Sequence, residues 1–335
     1  MKFIKIAKTG VYLPELKIEN EQIEKELQLE PEYIQKRTGI ETRYYTTKAQ
    51  EYMAKKLIQN MFNQQNTKNT TTDTTKDIGL IIVATTTPTQ YMPGIANVIQ
   101  KELNIQSCIS FDILAGCSGF INALDIAHKY MEASQIKKAL VIGIEQLSKF
   151  VDKKDVSTAI LLSDGAGGVL LEKTDEPKAY FSNIEATIDN GEILTCKAGE
   201  KISMKGKEIY RYAVTETVKN IEKLLNDANE KLENIKYIIP HQSNLKIMKS
   251  IGTRLGESAK NKIYTNINKK GNTFCASIPI ALDEMFSSRT ITNWGQNHFT
   301  GLWWRFEHRK RIDRNLKKLK ELKKRLTWIL KINRS

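Results

Sequence analysis

Cysteine is scarce in this chain of 335 residues, with four in all (Cys108, Cys117, Cys196 and Cys275) and no C-x-x-C pair among them. Histidine is as scarce, and none stands at metal-ligand spacing. A disulfide framework and a structural zinc site are set aside on those grounds. No apolar run reaches membrane-spanning length, and the opening Met1–Ile6 is too short and too charged for a signal peptide. A reducing cytoplasm is the expected setting. Tryptophan is missing from the first 293 residues and then occurs four times, at Trp294, Trp303, Trp304 and Trp328. No internal repeat is visible.

The net charge of +14 suggests a polyanionic partner until its distribution is read. Residues 294–335 hold 13 Lys and Arg against three Asp and Glu, whereas the first 293 hold 39 against 35. The excess belongs to the tail. The body has no basic platform interleaved with aromatics, which argues against nucleic-acid binding.

With 40% apolar residues the chain is able to bury one large core or two smaller ones. Gly79–Thr86, Ala139–Ile144 and Ile235–Pro240 read as buried strands, being short, rich in β-branched residues and bounded by breakers. Cys108–Leu114 alternates like a strand. Thr158–Leu162 and Gly168–Glu172 suggest a hairpin around Ser163–Gly167. Helices are expected at Asn20–Leu27, Ala49–Met61, Gly94–Leu103, Ser118–Ala133, Tyr210–Ala228 and Leu245–Leu255. Asn63–Lys76 is almost wholly polar and reads as a surface loop. The alternation of strands and helices indicates an α/β fold with buried sheets.

Three short segments carry the chemistry. Cys117 lies in Ala115-Gly116-Cys117-Ser118-Gly119-Phe120, between a strand and a helix, where partial positive charge favours a thiolate and the flanking glycines permit a tight turn. The other three cysteines lack such a turn and read as inert. His241 ends an apolar run in Ile238-Ile239-Pro240-His241-Gln242-Ser243-Asn244. Asn272 lies in Lys270-Gly271-Asn272-Thr273, ahead of Ala276–Glu284. Singly, the histidine reads as structural and the Gly-Asn pair as a turn. Together they form a thiol nucleophile with two neutral hydrogen-bonding side chains, the set that decarboxylative condensation on a thioester requires.

These segments, with Thr9–Pro14, Arg37–Ile40, Thr85–Thr89, Asp164–Gly167, Tyr210–Val214 and Gly271–Glu284, resemble in order those of the 3-oxoacyl-acyl-carrier-protein synthase III family. The resemblance runs to about Asn293. It implies a thiolase-like layered αβαβα fold of two similar halves, at 1–172 and 173–293, followed by the tail at 294–335. It also implies that Cys117 attacks an acyl-CoA thioester, that malonyl-acyl-carrier protein loses carbon dioxide, and that His241 and Asn272 hold the resulting enolate oxygen. Such donors are typically worth about 10²–10³ in rate each. Coenzyme A is expected at Tyr33 and Arg37, the acyl chain at Met92, and the acyl carrier protein at Arg211, Lys246, Lys249 and Arg254. A homodimer is implied, paired through the central sheets, with Gln90–Pro93 reaching across to a shared acyl pocket. No metal, permanently bound cofactor, nucleic acid or membrane is implied.

Several positions depart from the family. Tyr33 stands where a tryptophan commonly stacks on the adenine, and Val156 where an arginine closes its other face. Met92 replaces an aromatic residue and Lys246 an arginine. These leave open a relative that performs acyl transfer or a secondary-metabolite condensation with the same three residues.

The tail departs altogether. The family ends on two strands and a Gly-Phe-Gly-Gly-Gly loop, and Trp294–Ser335 has neither. Tryptophan has the single codon TGG, so Trp303-Trp304-Arg305 read one base later becomes Gly-Gly. Ordinary codons for Asn293–Arg309, shifted by one base, spell the family's C-terminus, including Gly-Phe-Gly-Gly-Gly. The tail is therefore read as an out-of-frame extension, with C-terminal strands missing and an inactive product as one outcome. The rival reading is a genuine basic amphipathic helix, since Leu316, Leu319, Leu322, Leu326 and Ile329 recur at helical spacing.

Overall fold

The computed structural model describes residues 3–63, 75–176, 179–184, 193–290 and 303–306. In chain order the first strands are β1 (Phe3–Tyr12), β2 (Leu16–Glu19), β3 (Thr42–Tyr45), β4 (Ile78–Ala84), β5 (Ile109–Ile113) and β6 (Lys138–Glu145). They are followed by β7 (Gly165–Thr174), β8 (Ala179–Ser182), β9 (Leu194–Thr195), β10 (Ser203–Met204) and β11 (Trp303–Phe306). The helices are α1 (Asn20–Glu26), α2 (Tyr33–Thr38), α3 (Gln50–Asn63), α4 (Ile95–Glu102), α5 (Gly119–Ala133) and α6 (Val156–Ala159). Then come α7 (Gly206–Ala228), α8 (Leu245–Leu255), α9 (Glu257–Lys260), α10 (Ile267–Lys270) and α11 (Ser277–Ser287).

Five strands form a mixed sheet in the order β1-β7-β6-β4-β5. β4 runs parallel to β5 and β6, and β7 antiparallel to β6 and β1. Successive side chains of a strand point to opposite faces, so a strand apolar at every position must be covered twice. That is what occurs. Leu80, Ile82 and Ala84 of β4 join Ala139 and Val141 of β6 under α5 and α11. Ile81 and Val83 join Leu140, Ile142 and Ile144 under α3 and α4. Burying each large aliphatic side chain contributes about 1.5–3 kcal/mol. A third apolar cluster gathers α1, α2 and α6 with Phe274, and a fourth gathers α7, α8 and α9.

The six expected helices are present with shifts of a few residues at their ends, and α2, α6, α9, α10 and α11 are additional. Two expected strands are absent. Thr158–Leu162 does not form a hairpin. Asp155 accepts the Ser157 N–H at 2.9 Å and the Thr158 hydroxyl at 2.8 Å, which starts α6 instead. Leu162 then bridges to Asn272, and β7 takes β1 and β6 as its partners. Ile235 and Ile238–Pro240 are buried as expected, with Lys236 exposed between them, but among the described residues only Ile263 pairs with the segment, through Ile238. A strand needs a run of partners, and one bridge does not make it.

In the tail, β11 pairs antiparallel with β8, with Trp303 opposite Ser182 and Phe306 opposite Ala179. The helical spacing at Leu316–Ile329 and most of the polar segment Asn63–Lys76 lie outside the described residues.

At Gly143 of β6 the loop that follows α10 passes close against the sheet. A Cβ there would sit 2.6 Å from the Cys275 carbonyl oxygen and 3.1 Å from the Ala276 Cα. Gly143→Ala is expected to lower stability in denaturant unfolding by about 1–3 kcal/mol, the usual cost of overpacking a core. An unchanged midpoint would mean that the loop is free to move.

Candidate active site

The chain leaves the sheet at Ile113 and turns through one 3-10 turn, Gly116–Ser118, into α5. Gly116 has φ +58°, a left-handed conformation that glycine adopts without steric cost. Cys117 in this turn is half-buried and packs on the apolar cluster that contains Phe274. Its thiol is pushed up to about 12, by burial first and by the Glu145 carboxylate second, and is eased only by its own backbone N–H. This corrects the expected thiolate. Removal from water costs the anion more than the start of α5 returns.

Asn272 is buried, and its backbone is pinned on both sides: its N–H donates to the Leu161 carbonyl and its carbonyl accepts the Ser163 N–H, each at 2.9 Å. Its side-chain Oδ1 accepts the Phe274 N–H at 3.0 Å, so the oxygen is occupied within the loop and the amide NH₂ is left to donate. His241 follows Pro240, and its Nδ1 lies 2.7 Å from the Ser277 hydroxyl. Burial lowers its pKa to about 4, so the ring is neutral at pH 7. Gln242 holds the segment in place. Its amide nitrogen donates to the Pro240 and Tyr264 carbonyls, and its Oε1 accepts the Asn266 N–H.

One short turn, Phe274–Ala276, brings these pieces together. It packs on the Cys117 turn, follows Asn272 directly and leads into Ser277, which meets His241. Beneath it the Cys275 thiol, fully enclosed, donates to the Glu145 Oε1 at 3.0 Å. The Glu145 carboxyl also accepts from the Thr86 N–H and hydroxyl and from the Thr87 hydroxyl at 2.7 Å. Burial pushes it up to about 7, against the pull of those donors.

The peripheral candidates are placed unevenly. The Arg37 guanidinium lies 5.1 Å from the centre of the Tyr33 ring. Tyr33, Val156 and Cys117 all pack on the same apolar cluster. Arg37 and Arg211 line one cleft of about 500 Å³ with Gly206, Lys207 and Tyr210. Lys246, Lys249 and Arg254 are exposed on α8, whose first turn is capped by Asn244, and Arg254 reaches Thr215 of α7 at 3.2 Å. Met92 is not brought to the site within this chain. It is 88% exposed, beside Tyr91 at 84%. Among the described residues no group of three or more His, Cys, Asp or Glu is placed to hold a metal, and no helix is long and apolar enough to cross a membrane.

Sequence reasoning missed Ser277, Gln242, Glu145 and Lys207. Ser277 and Gln242 lie within the quoted segments, so only their pairing was hidden. Glu145 at the end of an apolar run was the visible sign of a buried carboxylate.

An α/β fold with a cysteine, a histidine and an asparagine on three converging loops is the pattern of a thiolase-like condensing enzyme. The chain matches the 3-oxoacyl-[acyl-carrier-protein] synthase III profile over residues 111–189 and that family's C-terminal profile over residues 225–302. It is 36% identical over 317 residues to the beta-ketoacyl-[acyl-carrier-protein] synthase III of Clostridium tetani, covering 85% of this chain and 90% of that protein. It is 46% identical over 228 residues to the synthase III of Clostridium botulinum strain Hall, covering 62% and 68%. The crystal structure of 3-oxoacyl-[acyl-carrier-protein] synthase III from Aquifex aeolicus superposes with a TM-score of 0.77 at 34% identity, over 90% of this chain and 98% of that one. That from Thermus thermophilus superposes at 0.80 and 29% identity, over 90% and 97%. The chain belongs to the 3-oxoacyl-[acyl-carrier-protein] synthase III family, whose members are condensing enzymes of the acyltransferase type.

The raised Glu145 gives a pH test. Its folded pKa, about 7, lies above the ordinary 4.5. Its contribution is therefore intact below the ordinary value and lost as pH rises through 7, because the unfolded chain releases the proton first. Stability of the native chain relative to Glu145→Gln should fall by about 1.4 kcal/mol per pH unit across that window. Urea unfolding of both at pH 5, 6 and 7 measures it, and a flat difference would remove the buried proton.

Proposed function

We propose that the chain joins an acyl-CoA starter to malonyl-acyl-carrier protein and so begins fatty-acid synthesis. The observation that carries the reading is the Phe274–Ala276 turn, which packs on the nucleophile's turn and bears Asn272 at one end and the serine that meets His241 at the other. In the first step the Cys117 sulfur attacks the acyl-CoA carbonyl, the bond to the coenzyme A sulfur breaks, and the thiol proton leaves on the released coenzyme A. In the second step malonyl-acyl-carrier protein loses carbon dioxide and its electron pair passes into an enolate. The enolate carbon attacks acyl-Cys117, and the departing sulfur takes up one proton from solvent. His241 and Asn272 donate to the enolate oxygen. Both are neutral, so no unpaired buried charge persists between turnovers.

The same reading places coenzyme A against Tyr33 and Arg37 in the cleft shared with Arg211. Without the adenine-closing arginine at Val156, binding is weaker by about 0.5–2 kcal/mol unless another contact replaces it. Lys246, Lys249 and Arg254 on α8 and Arg211 on α7 offer positive charge to an acidic carrier protein. The chain is placed in the cytoplasm as a homodimer. Tyr91, Met92 and Leu114 are strongly exposed apolar side chains, and β5 is an edge strand, which suits burial against a second copy with Met92 reaching its acyl pocket.

A second reading concerns the tail. If Trp294–Ser335 is out of frame, the glycine-rich loop of the family is gone and with it one donor to the oxyanion. The chain as written would then be slow or inactive.

Two experiments test these readings. Incubation with a radiolabelled acyl-CoA should place label on Cys117 alone, with none in Cys117→Ala. Label on Cys275 would remove the assignment. Deleting one base after codon 293 should raise condensation by about 10²–10³, the worth of one oxyanion donor. Equal rates for the repaired and unrepaired chains would make the tail a genuine element of the enzyme.

A further inference from the structure

A neutral imidazole has one proton for two nitrogens, and which nitrogen carries it decides whether the ring donates or accepts at a given face. For His241 the deciding contact is Ser277. The Ser277 oxygen lies 2.7 Å from Nδ1 and accepts the Gln242 backbone N–H at 3.3 Å. Ser277 is only 3% exposed, at the first turn of α11. A hydroxyl has two lone pairs and one proton. One lone pair is taken by Gln242, whose N–H cannot accept. The hydroxyl proton then has one recorded acceptor, the lone pair of Nδ1. The reverse arrangement, Nδ1–H donating to the serine, would leave the serine proton buried with no acceptor, at a cost of about 1–3 kcal/mol.

We propose that Ser277 is a positioning residue that holds His241 in its Nε2–H tautomer, so that the free face of the ring presents a donor to the oxygen entering the site. Tautomer and orientation are set together, because the serine is fixed on α11 and tied to the residue that follows the histidine. Burial keeps the ring from gaining a second proton at neutral pH. Ser277 thus acts through His241 and touches no substrate. The value of the Nε2–H to the reaction rests on the condensation proposed above, whereas the tautomer itself does not.

The test uses the full chain with ¹⁵N-labelled histidine, and His241 is assigned by the signal lost in His241→Gln. Long-range ¹H–¹⁵N spectra at neutral pH distinguish a protonated ring nitrogen from a bare one. In the native chain Nδ1 should be bare and Nε2 protonated. Ser277→Ala should give mixed or inverted tautomers, and Ser277→Thr, which keeps the hydroxyl, should restore the native pattern. Ser277→Ala should also slow carbon dioxide release from malonyl-acyl-carrier protein by about 10–100-fold, while acylation of Cys117 stays within about twofold. A protonated Nδ1 in the native chain, or a Ser277→Ala spectrum that matches the native one, would overturn the proposal. So would an equal loss of both half-reactions, since that marks a structural role. If the tautomer responds as expected but neither the native chain nor the frame-repaired chain releases carbon dioxide, the assignment of Ser277 stands and the condensation reading fails.

Discussion

Everything in the site depends on the close approach of the Phe274–Ala276 turn to the central sheet. The approach is possible because Gly143 has no side chain where β6 passes the Cys275 and Ala276 backbone. It is held by the Cys275 thiol, whose sulfur lies 3.0 Å from Glu145 at the end of β6, to which it donates, and 3.2 Å from the Ala84 carbonyl at the end of β4. Two parallel strands, one buried carboxyl and one small polarisable side chain thus define where the turn lies. Asn272, Ser277 and, through it, His241 inherit their positions from that contact. Cys275 is fully enclosed in this arrangement, away from any incoming thioester. Its side chain is small, and it adds a weak donor to a carboxyl that already accepts from Thr86 and Thr87.

The electrostatics of the site follow from its dryness. Burial raises the Cys117 thiol, lowers His241 and raises Glu145, each toward its neutral form. The thiol and the imidazole therefore rest uncharged at pH 7, with Glu145 about half ionised. In the proposed reaction charge appears only as bonds change, first on the attacked carbonyl and then on the enolate oxygen, and it is met by donors already in place. Such preorganised donors are effective in a medium of low dielectric because nothing has to reorient when the charge forms.

The three central residues were legible because each sits in a short segment whose neighbours announce a local geometry. Gly116 and Gly119 mark a turn around Cys117, and Pro240 ends an apolar run before His241. The strands of the sheet were legible from unbroken apolar stretches such as Leu80–Ala84 and Ala139–Ile144. Thr158–Leu162 was misread because its β-branched residues outweighed Asp155, whose carboxylate caps a helix in three local hydrogen bonds. The ionisation of Cys117 was misread because a helix start is visible in a sequence, whereas the apolar cluster around Phe274 is assembled from segments as far apart as Ile18 and Phe274.

Local spacing and residue type singled out the candidate groups: a thiol at a strand-to-helix turn, a histidine after a buried segment, and an asparagine in a glycine turn. Those are properties of a few consecutive residues, so they are present before the chain folds. Which proton each group holds, and which neighbour holds it in place, was decided by tertiary structure. Nothing in the order of residues sets Ser277 against His241, or Glu145 against Cys275, because those contacts form only when α11 and β6 close on the loops between them. Protonation and orientation depend on distance, on burial and on an available acceptor, and all three exist only in the folded chain.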